Sequence, residues 1–195
     1  MSGGAGITTF RDVTGQACGN ASDCNGRDYD FSFSVAVAFW LTRFLAAEGS
    51  FVRPSSFNVV GNDTGYRFNT DFSPYLWTIA GKVGVPLGPV RPYGLAGMNY
   101  HQATSSTTNT IEDRTITLED GSTQTIPGGI QTYNLKTQGW GWLLGGGIEA
   151  WVGRRIAIFG QLSRAQVKGH TSDSIFSIND RVTIILAGAS VRIGP

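Results

Sequence analysis

The chain has 195 residues, of which 41% are hydrophobic, 11% aromatic and only 15% charged, whereas an average soluble domain carries roughly 25% charged residues. Fifteen basic and 14 acidic side chains leave a formal net charge of +1. This balance lacks the basic surface of a nucleic-acid-binding protein, so we expect no nucleic-acid partner. The length predicts one domain over residues 1–195, and the 27 glycines and 11 phenylalanines favour strands and turns.

The N-terminal residues and the two cysteines indicate the cellular compartment of the protein. Met1 to Gly6 lacks the basic and apolar regions of a signal peptide, so we expect a mature form behind an added methionine or a cytosolic protein. Cys18 and Cys24 stand in a polar loop with five residues between them, which favours a disulfide outside the cytoplasm. A zinc site takes about four ligands, and His101 and His170 are distant in sequence, so we expect no metal.

Two segments alternate with the period of a strand. From Asp30 to Leu41, large apolar residues such as Phe31 alternate with Ser and Ala, and from Gln138 to Val152 they alternate mainly with Gly. In a soluble barrel the apolar face would point inward and the other face would carry the charges. Here the second face is small and nearly uncharged, which suits a narrow barrel interior, and the apolar face suits lipid.

Less regular alternation predicts six more strands, which lie at 6–13, 45–51, 75–85, 91–102, 155–165 and 181–193. Tight turns are predicted at 42–43, 87–89 and 153–154, and long polar loops near 14–29, 53–65, 104–133 and 168–178. Short turns at one end and long loops at the other are typical of outer-membrane barrels. Within the third loop, Asp120 and Gly121 predict the turn of a hairpin that projects beyond the membrane. No run of about 18 or more apolar residues exists, which excludes a transmembrane helix.

Three segments resemble those of small bacterial outer-membrane barrels of the opacity and outer-membrane protein A/X type. They are Arg91-Pro-Tyr-Gly-Leu-Ala-Gly-Met-Asn-Tyr100, Gly139-Trp-Gly-Trp-Leu-Leu-Gly-Gly-Gly-Ile-Glu149 and Arg181-Val-Thr-Ile-Ile-Leu-Ala-Gly-Ala-Ser-Val-Arg192. The resemblance covers most of residues 30–193. It implies an all-β, eight-stranded antiparallel transmembrane β-barrel of the bacterial outer membrane, with short periplasmic turns, long extracellular loops and a structural or adhesive role. Such chains usually end in an aromatic residue, whereas this one ends Ile193-Gly-Pro195, so either the chain is trimmed or assembly uses another signal.

Four charged residues are predicted on the inner face near the periplasmic end, namely Glu48, Lys82, Glu149 and Arg192. Charges removed from water must be paired, and an eight-stranded barrel is filled by side chains. We therefore interpret the four as a self-neutralising plug of two acids and two bases. The alternative is a gate or a proton path.

Neither of two candidate chemical motifs carries a reaction. His101 and Ser105 share a strand face but stand about 13 Å apart at ~3.3 Å per residue, too far for a nucleophile and its base. Gly145–Gly147 lacks the lysine and helix of a phosphate loop, so close packing in a strand explains it better. We expect no enzyme activity and no cofactor, and we interpret His101 as a residue of the outer rim.

The aromatic residues are predicted to form two interfacial girdles. Phe33, Phe51, Trp77, Trp140 and Trp142 fall toward the loop end, and Tyr93 and Trp151 toward the turn end. Strict alternation would turn Trp40 and Trp151 inward, which we interpret as relaxed alternation near the turns, with ligand stacking as the alternative.

These features predict a membrane anchor surrounded by outer-membrane lipid and lipopolysaccharide. Its extracellular loops, above all the hairpin at Asp120 and Gly121, would contact a protein, a surface or an assembly partner through unpaired strand edges. A narrow pore for ions or small solutes is the alternative, followed by a lipid-modifying enzyme.

Overall fold

Eight antiparallel strands close into a barrel in the computed structural model, which describes residues 1–19, 21, 23–63, 65–117, 122–171 and 177–192. The elements are β1 (Ser2–Phe10), α1 (Val13–Cys18), β2 (Asp23–Gly26), β3 (Tyr29–Trp40), β4 (Leu45–Pro54), β5 (Phe57–Asp63), β6 (Tyr66–Gly84), β7 (Val90–Ile111), β8 (Arg114–Thr117), β9 (Thr123–Ile126), β10 (Gly129–Val152), β11 (Ile156–Thr171) and β12 (Ser177–Val191). The ring runs β1, β3, β4, β6, β7, β10, β11 and β12. The predicted eight-stranded barrel is confirmed.

Strand β1 closes the ring because it pairs on both sides. Ser2 is in register with Ala36 of β3 and with Ser190 of β12. The sequence predicts this first strand at 6–13, whereas β1 spans Ser2–Phe10 and helix α1 already begins at Val13. The strand begins earlier than predicted because residues 2–5 pair with both neighbouring strands, although these small residues show no apolar alternation.

The barrel wall has an apolar outer face and an inner face that combines polar and small residues with buried apolar side chains such as Leu76 and Ile184. On β3, Phe31, Phe33 and Val35 are exposed, whereas Ser32 and Ser34 are buried. This is the alternation that the sequence predicts. Exposed large apolar side chains continue over the other barrel strands, and soluble monomers rarely expose contiguous apolar patches beyond a few hundred Å². The outer wall is therefore a lipid-facing surface.

The strands are joined at one end of the barrel by short turns. The turn between β3 and β4 is closed by bonds from the amide nitrogens of Leu41 and Thr42 to the carbonyl oxygen of Leu45. Gly88 and Gly153 occupy the turns before β7 and before β11 with φ of 66° and 83°. Only glycine adopts this left-handed conformation without a steric penalty.

The opposite end departs from the predicted loops, because much of 53–65 and 104–133 is strand. Strands β6, β7 and β10 have 19, 22 and 24 residues, and a transmembrane strand needs only about 9 to 11. Their upper halves form, with β5 and β2, a sheet in the order β2-β5-β6-β7-β10. We call this the projecting sheet. On the upper halves of β7 and β10 buried and exposed side chains do not alternate, so the pattern by which strands are recognised is absent there, while threonine, which is frequent here, favours strands.

Beyond the projecting sheet, β8 and β9 form the predicted hairpin, with Thr117 in register with Thr123. The predicted turn residues Asp120 and Gly121 lie outside the described residues. Helix α1 has six residues. No helix in the described part of the chain is long and apolar enough to cross a membrane.

Candidate functional site

A buried ion-pair cluster centred on Lys82 fills the lumen toward the short-turn end. The Nζ atom of Lys82 donates hydrogen bonds to Oε1 of Glu149 at 2.6 Å and to Oε2 of Glu48 at 3.2 Å. Lys82 is 4% exposed, and both carboxylates are also buried. Strands β4, β6 and β10 supply the three side chains from inward positions. The two carboxylates compensate the buried cation. Removal of any one of the three side chains would leave a buried charge without its partner.

Tyr93 completes this cluster from strand β7. Lys82 Nζ lies 3.7 Å from the centre of the Tyr93 ring, and the Tyr93 hydroxyl donates to Oε1 of Gln161 at 3.0 Å. The prediction that Tyr93 belongs to an outer aromatic girdle is therefore wrong, since its side chain is 7% exposed and points inward. Gly147, its cross-strand partner, makes the room, because a Cβ atom there would lie 2.6 Å from the Tyr93 hydroxyl.

The second base of the interior is Arg91, not the predicted Arg192. Arg91 is buried, lies opposite Glu149 in the β7–β10 register, and its guanidinium carbon stands 4.2 Å above the Trp40 ring. Arg192 follows the last residue of β12, is exposed, and lies 4.6 Å from the Trp151 ring. The predicted charge count of two acids and two bases holds with Arg91 in place of Arg192. Because strand β12 ends before residue 192, the Arg192 side chain lies at the short-turn end of the barrel and does not enter the lumen.

Trp40 and Trp151 keep strict alternation. Both occupy inward positions on β3 and β10 and are half-buried. The predicted girdle position of Trp151 and the interpretation of relaxed alternation are therefore wrong. An arginine guanidinium stacks on each indole ring, so both rings make cation–π contacts at the end of the barrel that has the short turns. Strict alternation of the sequence is sufficient to predict both inward positions.

A small cavity adjoins the ion-pair cluster. Its volume of about 30 Å³ holds about two water molecules. Hydroxyl groups of Ser34, Ser50, Thr78 and Ser163 are among its lining. The lumen at this level therefore has room for water but not for a solute of larger size.

An aromatic cluster occupies the lumen nearer the projecting sheet. The ring centres of Phe10 and Phe57 are 5.2 Å apart, and those of Phe57 and Phe72 are 5.3 Å apart. Val13, the first residue of α1, packs against the same core. The interior is therefore filled at a second level, by apolar side chains that the sequence analysis assigned to no site.

The predicted disulfide between Cys18 and Cys24 is present. It joins the end of α1 to β2, and β2 in turn pairs with β5 in the projecting sheet. The amide nitrogen of Thr14 donates to Oδ1 of Asp28 at 2.7 Å, which holds the start of α1 against the chain that leads into β3. The disulfide thus connects the helix beside the aromatic cluster to the edge of the projecting sheet.

Asn99 and His101 are buried in the upper wall. Asn99 donates through Nδ2 to the carbonyl oxygens of Trp142 at 2.9 Å and Gln166 at 3.1 Å, where the β10–β11 register is interrupted. His101 is 3% exposed, and neither ring nitrogen has a partner in the described part of the chain. The interpretation of His101 as a residue of the outer rim is therefore wrong, because the alternation along β7 turns its side chain into the interior, where it is buried.

The remaining predicted girdle residues point outward, and several form a continuous row. Phe51, Trp77, Tyr100 and Trp140 follow one another in register across β4, β6, β7 and β10. Ring centres are 4.5 Å apart for Phe51 and Trp77, and 5.2 Å apart for Tyr100 and Trp140. Tyr100 belongs to this row, although it is not among the predicted girdle residues. The other two outward aromatic residues of the prediction are Phe33 and Trp142.

An eight-stranded ring with an apolar outer wall and a filled lumen defines a small transmembrane β-barrel. Solved structures with this fold include the outer membrane protein OprG from Pseudomonas aeruginosa, which is 11% identical over 100% of this chain and 95% of that one, with a TM-score of 0.56. Neisserial surface protein A is 15% identical over 98% and 96% of the two chains, with a TM-score of 0.51. Ail, the attachment invasion locus protein of Yersinia pestis, is 14% identical over 98% and 95%, with a TM-score of 0.48.

The likeness to OprG and to Neisserial surface protein A shows the fold, which is that of the small bacterial outer-membrane barrels that the sequence resembles. No protein-family model matches the sequence, and no curated protein matches it. Among the described residues, no group of three or more His, Cys, Asp or Glu side chains is placed to hold a metal ion.

Proposed function

We propose that this chain is a bacterial outer-membrane anchor whose projecting sheet contacts a protein partner outside the membrane. The lipid-facing wall supports the membrane location, and so does the likeness in fold to OprG, an outer membrane protein, and to Neisserial surface protein A. The filled lumen supports an anchor over a transport channel. Outer-membrane lipid and lipopolysaccharide are then the surroundings of the wall.

The observation that carries the proposed contact is the free edge of β10. Residues 129–136 pair with β7 on one side, whereas the pairing of β10 with β11 begins only at Thr137. Within the described residues, the edge of 129–136 that faces away from β7 has no strand beside it. Ile130 and Tyr133 are exposed on this segment. An unpaired edge with exposed apolar side chains is suited to bind an extended segment of another protein by strand addition.

Two experiments test the two parts of this proposal. For the barrel, heating the purified chain in detergent should shift its gel mobility, because a folded membrane barrel and its unfolded form migrate differently, whereas an unchanged mobility would argue against a membrane barrel. For the contact, a photoreactive residue at Tyr133 should give a protein adduct in intact cells. The matched position Leu144, on the lipid-facing wall, should give none, and the absence of an adduct at Tyr133 would contradict the partner contact.

A narrow pore is the second candidate. The water-sized cavity beside Lys82 supports it, because water among its hydroxyl groups would continue toward either mouth if the ion pairs opened, although apolar side chains line the cavity as well. Single-channel recording separates the two functions, since an anchor conducts little and a pore conducts steadily.

A further inference from the structure

The wall of the barrel is interrupted where β4 leaves β6 and β5 takes its place. The last β4 pair with β6 is Val52 with Leu76, and the first β5 pair is Phe57 with Phe72. Residues 73–75 of β6 therefore face no paired strand on that side. A cleft of about 370 Å³ opens there on the outside of the barrel. We call this cleft the wall notch.

Two prolines explain why the ladder breaks at this point. Pro54 ends β4, and Pro74 lies in the unpaired stretch of β6. Proline has no amide hydrogen and cannot complete a ladder bond, so a break costs least where prolines stand. The chain after Pro54 turns toward β3, where the amide nitrogen of Ser55 donates to the carbonyl oxygen of Phe31 at 2.7 Å.

The wall notch lies at the level where the outer face changes from apolar to polar. Outward residues of β6 on the short-turn side of it are apolar, and Ile79 and Trp77 are strongly exposed. On the other side, Asp71 and Asn69 point outward, and both side chains bond to Asn58 of β5. A lipid bilayer around the apolar band would therefore place its headgroups at the notch.

The notch presents one cation among aromatic rings. Arg53 is exposed, lines the cleft and makes no ion pair with any described residue. Phe51 lies beside Arg53, with its ring centre 4.5 Å from that of Trp77 and 6.2 Å from that of Tyr75. The hydroxyls of Ser56 and Ser73, 2.8 Å apart, add neutral polar groups.

We propose that the wall notch binds the phosphate-bearing headgroup of a glycolipid of the outer leaflet, the lipid A portion of lipopolysaccharide. The Arg53 guanidinium presents a planar fork of donors that matches a phosphate group. The rings of Phe51, Tyr75 and Trp77 pack against the apolar faces and the upper acyl chains of the same molecule. This inference rests on the proposed membrane location, and it adds a lipid partner at a defined place on the wall.

The test is native mass spectrometry of the folded chain in detergent with added lipid A. Wild type should retain one bound bis-phosphorylated lipid A, and Arg53→Gln should bind it about tenfold more weakly, which corresponds to ~1.4 kcal/mol. Arg53→Lys keeps the charge but not the fork, and should fall between the two. Arg43→Gln is the matched control, because Arg43 is also exposed and stacks on an aromatic ring, Phe44, at a short turn. It should bind like wild type.

Lipid A without phosphate groups should bind poorly to wild type, and it should bind equally weakly to Arg53→Gln. The inference is overturned if Arg53→Gln retains bis-phosphorylated lipid A as well as Arg43→Gln does, or if the lipid without phosphate binds equally to wild type. Gel mobility after heating is scored on the same samples. A wild type that is a folded membrane barrel but retains no lipid A refutes the notch alone, whereas a wild type without heat-dependent mobility refutes the membrane location.

Discussion

Lys82 Nζ lies 2.6 Å from Glu149 Oε1, although β6 and β10 are not neighbours in the ring. Strand β7 separates them in the wall, so this ion pair spans the inner face of β7. Glu48 on β4 binds the same ammonium group from the other side at 3.2 Å. Glu149 therefore links β10 to β6, which backbone pairing does not join, whereas Glu48 adds a side-chain contact between β4 and β6, which already pair.

Replacement of Lys82 by alanine tests whether this cluster closes the barrel. The variant leaves Glu48 and Glu149 without their shared cation, at a cost of roughly 3 to 5 kcal/mol if burial is complete and less if water enters. We expect wild type to conduct little, and Lys82→Ala to lower the free energy of unfolding or to raise single-channel conductance. A steady, large wild-type current that Lys82→Ala leaves unchanged would favour the pore over the anchor.

Replacement of Arg91 and of Arg192 should affect the stability of the barrel differently, because Arg91 is buried in the lumen and Arg192 is exposed at its end. Arg91→Ala should destabilise the barrel because it removes a buried cation opposite Glu149 and uncovers the Trp40 ring. Arg192→Ala removes an exposed side chain and should change the unfolding midpoint in urea little. Equal shifts of the midpoint for the two variants would contradict the assignment of Arg91 as the second interior base.

Charge on the outer wall should be tolerated far less than charge on the projecting hairpin. Leu144 is exposed near the middle of the membrane-spanning part of β10, where an arginine costs roughly 2 to 4 kcal/mol, against about zero to one near the interface. Leu144→Arg should therefore lower the yield of folding into lipid vesicles, whereas Gln124→Arg on β9 should not. If both variants fold with the same yield, the outward face of β10 does not meet lipid.

Reduction of the disulfide between Cys18 and Cys24 should barely alter the melting temperature of the barrel. The bond closes a short loop, so its contribution lies at the low end of the ~2 to 4 kcal/mol typical of disulfides. It also lies outside the eight-stranded ring. The measurement is thermal unfolding with and without reductant, and detection of two free thiols in protein isolated from the membrane would refute the bond itself.

The sequence by itself determines which face meets lipid for the strands whose alternation is regular. Phe31 points outward and Ser32 inward because successive side chains of a strand point to opposite sides, so a local pattern with period two is sufficient. The inward positions of Glu48, Lys82 and Glu149 follow from the same parity. These properties depend on residues that are adjacent in the chain, and no knowledge of the neighbouring strand is needed.

The tertiary structure alone decides which partners meet and where strands end. Arg91 and not Arg192 faces Glu149, because the β7–β10 register brings Arg91 alongside it and β12 ends before residue 192. The polar segment 104–111 is strand because β6 and β10 pair with it on both sides. Register, strand length and contacts across the lumen join residues far apart in the chain, so they depend on how the whole ring closes and cannot be obtained from the period of any one segment.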